Sequence, residues 1–295
     1  MKSEAVILAG YRTRTMDFVA LAKPRLNFLV VASAMAGYAM AGMEGLGVTR
    51  LFGTLAGTGL VAGGASALNQ LLERDTDALM RRTRMRPLPD GRVQPGEALV
   101  FGCALAAIGL MILTATANVL AAAVALATVL VYVAVYTPLK RRTSLATVVG
   151  AVPGALPPII GWAAARGTLS VQAWTLFGIV FLWQLPHFLA IAWMFRDDYT
   201  RAGFPLLPVI EPDGRSTARQ AVVYAAALLP LSLAPTLFGL SGRLYFAAAM
   251  ALGLAFIWLT VRFARTRSTQ DARALFFGSI TYLPLIWMMM IVDRL

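Results

Sequence analysis

The chain has 295 residues, of which 59% are hydrophobic and only 14% charged, and its formal net charge is +12. A soluble domain carries about a quarter charged residues, so this chain cannot present a fully polar surface to water and is read as lying in a lipid bilayer. One cysteine, Cys103, and one histidine, His187, exclude a disulfide framework and a Cys/His zinc cluster. The basic excess is absorbed by membrane topology and calls for no nucleic acid.

The first stretch, "MKSEAVILAGYRTRTMDF", has too short an apolar run for a secretory signal and carries acids. Residues 1–20 are read as a cytoplasmic tail on a single membrane-embedded domain, 1–295. A spanning helix needs roughly 20 mostly apolar residues. Nine segments qualify: 26–43, 51–72, 98–114, 117–136, 145–163, 172–195, 220–239, 243–263 and 274–292. The fold expected is all-α, nine transmembrane helices around a central cavity that opens to the cytoplasmic side. Short connections make neighbours antiparallel, and small-residue runs such as "GTGLVAGGASA" permit close helix contact.

This layout sorts the cations. Of the 26 Lys and Arg residues, 22 fall on one side, and 4 (Arg50, Arg166, Arg243, Arg294) fall on the other. The positive-inside rule makes the first side cytoplasmic. The N-terminus is then inside and the C-terminus outside; a bacterial cytoplasmic (inner) membrane is the expected location. Only two acids, Glu44 and Asp293, lie clearly on the outer side.

The second span runs into "NQLLERDTDALMRRTRMRPLP", Asn69 to Pro89. Asn69, Glu73 and Asp77 are spaced i, i+4, i+8 and share one helical stripe, with Asn69 about 12 Å deeper than Asp77; Asp75 points elsewhere. Oxygen ligands on one face suit Mg²⁺, which takes one or two carboxylates and completes its shell with water and phosphate oxygens. The alternative is a helix end whose solvated acids pair with Arg81 and Arg82 by helical spacing. It leaves the deeper Asn69 unexplained, and intramembrane polar groups are functional by default.

The fourth span ends in "YTPLKRRTS", and the fifth, "VVGAVPGALPPIIGW", carries three prolines. Irregular backbone is tolerated where it lines a cavity or meets protein; ordinary proline kinking is the alternative. The sixth span, "FLWQLPHFLAIAWMFRDDYTRAGFPLLP", ends in Asp197 and Asp198. If its helix continues, His187, eleven residues earlier, points the same way as Asp198 and lies up to about 16 Å deeper. His187 is open to three readings: a buried ring with one satisfied hydrogen bond, an iron ligand, or a proton acceptor. Two acidic helix ends on one membrane side form a weak internal repeat. They can hold one or two Mg²⁺ ions bridged by a diphosphate, or they are separate helix-end charges. Lys23, Arg25, Arg82, Lys140 and Arg141 are read as topology signals that also attract an anionic substrate.

The pieces "KPRLNFL", "ALNQLLERDTDALMRRTRMRPLP", "YTPLKRRTS", "GALPPIIGW" and "WQLPHFLAIAWMFRDDYTRAGFPLLPV" together resemble the membrane-embedded prenyltransferases that make quinones, chlorophyll and haem O. The resemblance is closest to the haem branch, the protohaem IX farnesyltransferases. It implies farnesyl diphosphate and haem B as substrates and Mg²⁺ as cofactor. It implies that Asn69, Glu73, Asp77, Asp197 and Asp198 hold the metal and diphosphate. Trp183 and Phe188 would line the pocket of an allylic cation, Tyr199 would join the substrate-binding set, and His187 would ligate haem iron or accept a proton. Haem propionates would suit the arginine-rich mouth, and the product would pass to a haem-modifying enzyme or terminal oxidase. The sequence departs from the superfamily pattern at Glu73, where quinone enzymes have Asp. His187 replaces an acid, and Ala146 and Thr147 stand where an Asn is frequent. Two rivals are a quinone or chlorophyll prenyltransferase and a secondary transporter. Transporters place polar sites near the midplane, often in inverted repeats, whereas these acids sit toward one side.

Overall fold

The computed structural model describes residues 14–42 and 47–295; Lys2, Arg12, Glu44 and most of the expected tail lie outside the described residues. Two helices, α1 (Arg14–Leu21) and α2 (Pro24–Ala41), meet at a bend of 42°. They are followed by α3 (Val48–Leu79), α4 (Pro95–Thr116), α5 (Val119–Leu139), α6 (Ala146–Arg166) and α7 (Val171–Met194). Two short helices, α8 (Arg196–Arg201) and α9 (Leu207–Ile210), lead into α10 (Arg215–Leu237), α11 (Arg243–Thr266) and α12 (Thr269–Val292). Eight of these are long and apolar enough to span a membrane, and the bent pair α1–α2 makes nine, the number read from the sequence. Among the described residues the remaining regular structure is one isolated β-bridge, Ser241 with Arg294.

Small residues let the helices touch backbone to backbone. A Cβ built on Gly64 of α3 would lie 2.5 Å from the Gly102 carbonyl oxygen of α4, and one on Gly109 would lie 2.6 Å from the Gly57 oxygen. Each helix thus contributes glycines seven residues apart, two turns along one face. Between α2 and α6 the approach is closer still: a Cβ on Gly161 would lie 1.9 Å from the Ala34 oxygen. Because the obstacle is backbone, the helices would have to separate. Gly161→Ala is therefore expected to cost about 1–3 kcal/mol through overpacking, read as a lowered unfolding temperature in detergent.

Two irregularities place the site. α5 contains a π-helical turn, Val131–Tyr136, a feature frequent at functional sites. α6 is broken at Leu156 into Ala146–Ala155 and Pro157–Arg166. The prolines of the fifth span therefore do more than kink it, and the break is enclosed by protein: Pro157, Pro158 and Ile159 are buried. Gln184 of α7 donates to the Ala151 oxygen at 2.7 Å, satisfying a polar group inside the bundle.

One expectation is corrected. α7 does not continue to Asp198; it stops at Met194, Phe195 departs from helical geometry (φ −114, ψ 22), and Asp198 belongs to the separate short helix α8. The eleven-residue spacing therefore does not align His187 with Asp198. α3, by contrast, runs seven residues past its apolar span and carries Glu73 and Asp77 with it.

Candidate active site at the acid-bearing helix ends

The stripe on α3 faces inward. Asn69, Glu73 and Asp77 are buried, at 3%, 4% and 1% exposure. Asp75, off the stripe, is exposed and pairs with Arg74. Each stripe residue meets a partner from another part of the chain. Asn69 donates to the Thr137 hydroxyl at 3.0 Å. Both carboxylate oxygens of Glu73 accept from Lys140 Nζ at 3.1 Å. Asp77 Oδ2 accepts from Arg86 Nη1 at 2.7 Å, while its Oδ1 is buried without a partner.

The π turn of α5 sets the opposing wall. Tyr132 and Tyr136 stack with ring centroids 5.4 Å apart, and Thr137 donates back to the Tyr132 oxygen at 2.8 Å. Tyr132, Tyr136 and Lys140 line a cavity of about 160 Å³, closed by Phe188, Ile191 and Tyr199. Gly150 leaves room for the Tyr136 ring, since a Cβ there would meet it at 2.5 Å.

α8 and the segment after α3 close the ring. The backbone N–H of Arg81 donates to Asp198 Oδ1 at 3.3 Å, and Arg82 Nη2 donates to the Tyr199 hydroxyl at 2.5 Å. The Arg82 guanidinium also lies 4.9 Å from the Phe195 ring centroid and 4.7 Å from that of Tyr199. Arg201 pairs with the same oxygen of Asp198. Lys140 joins the two halves: bonded to Glu73, its ammonium lies 4.5 Å from the Phe204 centroid, close enough for a cation–π contact. Lys23, in the left-handed bend before α2, interacts electrostatically with Glu73, Asp77, Arg86 and Lys140. Around the two α3 acids the cations Lys23, Arg86 and Lys140 are in excess, a field that favours an anionic ligand.

A sequence profile of the UbiA prenyltransferase family matches residues 30–282. The chain belongs to this family. This UbiA-family prenyltransferase is an integral membrane enzyme, and two relatives match it almost end to end. A protoheme IX farnesyltransferase of Solibacter usitatus (strain Ellin6076) is 48% identical, covering 94% of this chain and 98% of the relative. One of Koribacter versatilis (strain Ellin345) is 44% identical over 98% and 97%. Among solved structures, a digeranylgeranylglyceryl phosphate synthase superposes with TM-score 0.80 at 15% identity, covering 95% of this chain and 98% of that one. A UbiA homolog from Archaeoglobus fulgidus, solved with GPP and Mg²⁺, gives 0.66 at 15% identity over 93% and 99%. At such identity these two show the shared fold.

The fold of this UbiA-family prenyltransferase separates the sequence-derived candidates into two groups. Asn69, Glu73, Asp77, Lys140, Asp198, Tyr199 and Arg82 are linked by the contacts above, and Phe188 lines the cavity. Arg141 caps the stripe from outside by donating to the Leu72 oxygen at 2.7 Å. Arg25 and Asp197 are exposed at the same end. His187 and Trp183 instead face α12. His187 Nδ1 is 2.7 Å from the Ser279 hydroxyl, and its ring lies between those of Trp183 and Phe276 at 5.4 and 5.0 Å. Trp183 donates its indole N–H to the Ser279 oxygen at 2.8 Å.

Sequence reasoning missed Arg86, Thr137, Tyr132 and Tyr136. Arg81 and Arg82 were the expected helical partners of the α3 acids, but α3 ends at Leu79, so Arg86 reaches Asp77 from a loop where spacing carries no register. The tyrosines did leave a signal. Tyr132, Tyr136 and Lys140 repeat the i, i+4, i+8 pattern of Asn69, Glu73 and Asp77.

Among the described residues no three His, Cys, Asp or Glu side chains form a preformed metal cage. The donors do suit a hard cation. They are all oxygen, and the bare Asp77 Oδ1 is a buried acceptor with nothing to accept from. Mg²⁺ needs only one or two carboxylates when a phosphate supplies the rest.

Proposed function

We propose that the chain transfers the farnesyl group of farnesyl diphosphate to a vinyl group of haem B, with addition of water, giving haem O and diphosphate. The observation that carries this reading is the buried stripe Asn69–Glu73–Asp77 facing Lys140 and Arg86 in a chain 48% identical to a named protoheme IX farnesyltransferase. Asn69, Glu73 and Asp77, with Asp198 and Asp197 from the second acidic end, would hold Mg²⁺. When bound, the metal would neutralise charge on the departing diphosphate. Lys23, Arg82, Lys140 and Arg141 bind the diphosphate oxygens, and Arg25 draws the anion to the mouth.

Substrate ionisation breaks the bond between the first farnesyl carbon and the diphosphate oxygen. The resulting allylic cation is stabilised by aromatic faces, and Tyr132, Tyr136, Phe188 and Tyr199 supply them. The terminal vinyl carbon of haem B bonds to the farnesyl carbon. Water then adds at the carbon next to the ring, and its proton leaves with the diphosphate. The proposal places this end of the bundle in the cytoplasm, supported by the 22-to-4 distribution of cations, with the bacterial inner membrane as the site and a haem-modifying enzyme or terminal oxidase as the recipient of product.

Purified protein given haem B, farnesyl diphosphate and Mg²⁺ should yield a species of haem O mass. Prenylation of a phenol such as 4-hydroxybenzoate with no haem product would reject haem as the acceptor. His187 is assigned to holding α7 against α12. His187→Phe keeps the ring contacts and loses the Ser279 hydrogen bond, so it should cost about 1 kcal/mol of stability and little turnover. Collapse of turnover at unchanged stability would instead make His187 an iron ligand or proton acceptor.

A further inference from the structure

We propose that the end of the bundle opposite the acids carries a second anion site, which takes the phosphate headgroup of an anionic phospholipid. The site is a cavity of about 420 Å³ lined by the ends of α2, α6 and α12 and the turn after α10. The sequence puts only four cations at this end, and two of them, Arg166 and Arg294, line this one cavity. Their Nη2 atoms each lie 3.2 Å from the same point, the position a Cβ would take on Gly42. Gly42 itself has φ +108, a conformation that favours glycine, so the point between the guanidiniums is kept free of a side chain.

Two guanidiniums so close repel one another unless an anion lies between them. Among the described residues neither has an acidic partner. The nearby acid, Asp293, is engaged by the backbone N–H of Tyr245 at 2.8 Å. Arg166 Nε donates to the last carbonyl of α2, Ala41. That helix-capping role uses one nitrogen and explains neither the remaining donors nor Arg294. The Arg294 side chain has no hydrogen-bond partner among the described residues, yet its backbone is held by the bridge to Ser241.

Two further polar groups on the wall are unsatisfied. Trp162 is 5% exposed and its indole N–H has no partner; the Ser170 hydroxyl is enclosed and likewise unpaired. A buried donor without an acceptor is costly, and here such donors sit beside two forks shaped for phosphate oxygens. The apolar side of the wall is Met40, Phe238 and Leu240, and Leu237 beside it is exposed. Cationic forks next to exposed apolar surface fit an amphiphile better than a free ion.

The test uses the full chain in a neutral detergent, with native mass spectrometry and thermal unfolding as readouts. Phosphatidylglycerol should remain bound and raise the unfolding temperature. Arg294→Gln should leave the lipid-free unfolding temperature unchanged and weaken lipid binding by about tenfold to a hundredfold. Arg243→Gln, a cation at the same end outside the cavity, should bind as the parent does. Arg294→Lys, which keeps the charge and loses the fork, should fall between parent and Gln, and it serves if the Gln variant fails to fold. Equal binding by the parent and Arg294→Gln would overturn the site. Equal binding of phosphatidylcholine would overturn recognition of anionic headgroups, and equal protection by inorganic phosphate would overturn the lipid as its source.

Discussion

Glu73→Gln is expected to lower farnesyl transfer by about 10²–10³-fold, the usual cost of removing one electrostatic contributor from a charged transition state. The amide is nearly isosteric, so α3 keeps its packing, but a unit of negative charge disappears from a position only 4% exposed. Lys140 would then be left beside an amide in place of the carboxylate that now binds it through both oxygens at 3.1 Å. Loss of activity could thus come from a misplaced lysine as well as from a missing ligand. Glu73→Gln combined with Lys140→Met separates the two. If Glu73 serves the metal and diphosphate, the double variant stays as inactive as the single one. Recovery of turnover in the double variant would reduce Glu73 to a counter-ion. Asp77→Asn should behave like Glu73→Gln, with Arg86 in the place of Lys140.

Chelation should be equally severe. Adding EDTA to the purified protein is expected to abolish product, and excess Mg²⁺ should restore it within the same sample. The reason lies in the protein's own charges. Lys23, Arg86 and Lys140 face Glu73 and Asp77, so two of the three positive charges are taken up by the acids and one is left in excess to attract a diphosphate. A divalent ion bound to the acids would free the lysine and arginine side chains to meet the substrate. Binding of farnesyl diphosphate, measured by equilibrium dialysis, should therefore weaken in EDTA. Undiminished turnover and binding in EDTA would exclude a metal from the site.

Much of this architecture was legible in the residues because lipid imposes strict rules. Spans must be long and apolar, cations must sort by side, and the nine segments follow from those two facts. The α3 stripe was legible for a related reason: polar groups at four-residue spacing along an apolar helix are costly in lipid unless they turn toward protein, water or a ligand. What could not be read was whatever depended on where a helix stops. α7 ends at Met194 and α3 at Leu79, and both ends lie in aromatic or arginine-rich runs without a glycine or proline to mark them. Those two stops decide that Asp198 meets Arg81 and that Arg86 meets Asp77. The π turn was equally hidden, since "VYVAVY" is as good an α-helix or strand by composition as it is a π segment.

The overhang of α3 has a consequence for how a substrate arrives. At 32 residues the helix is about 48 Å long, against a hydrocarbon layer of about 30 Å. In the proposed orientation its final turns, with Glu73 and Asp77, would stand where oil gives way to water. A molecule with a greasy tail and an ionic head is already oriented at that boundary, and would enter sideways with neither end forced into the wrong medium.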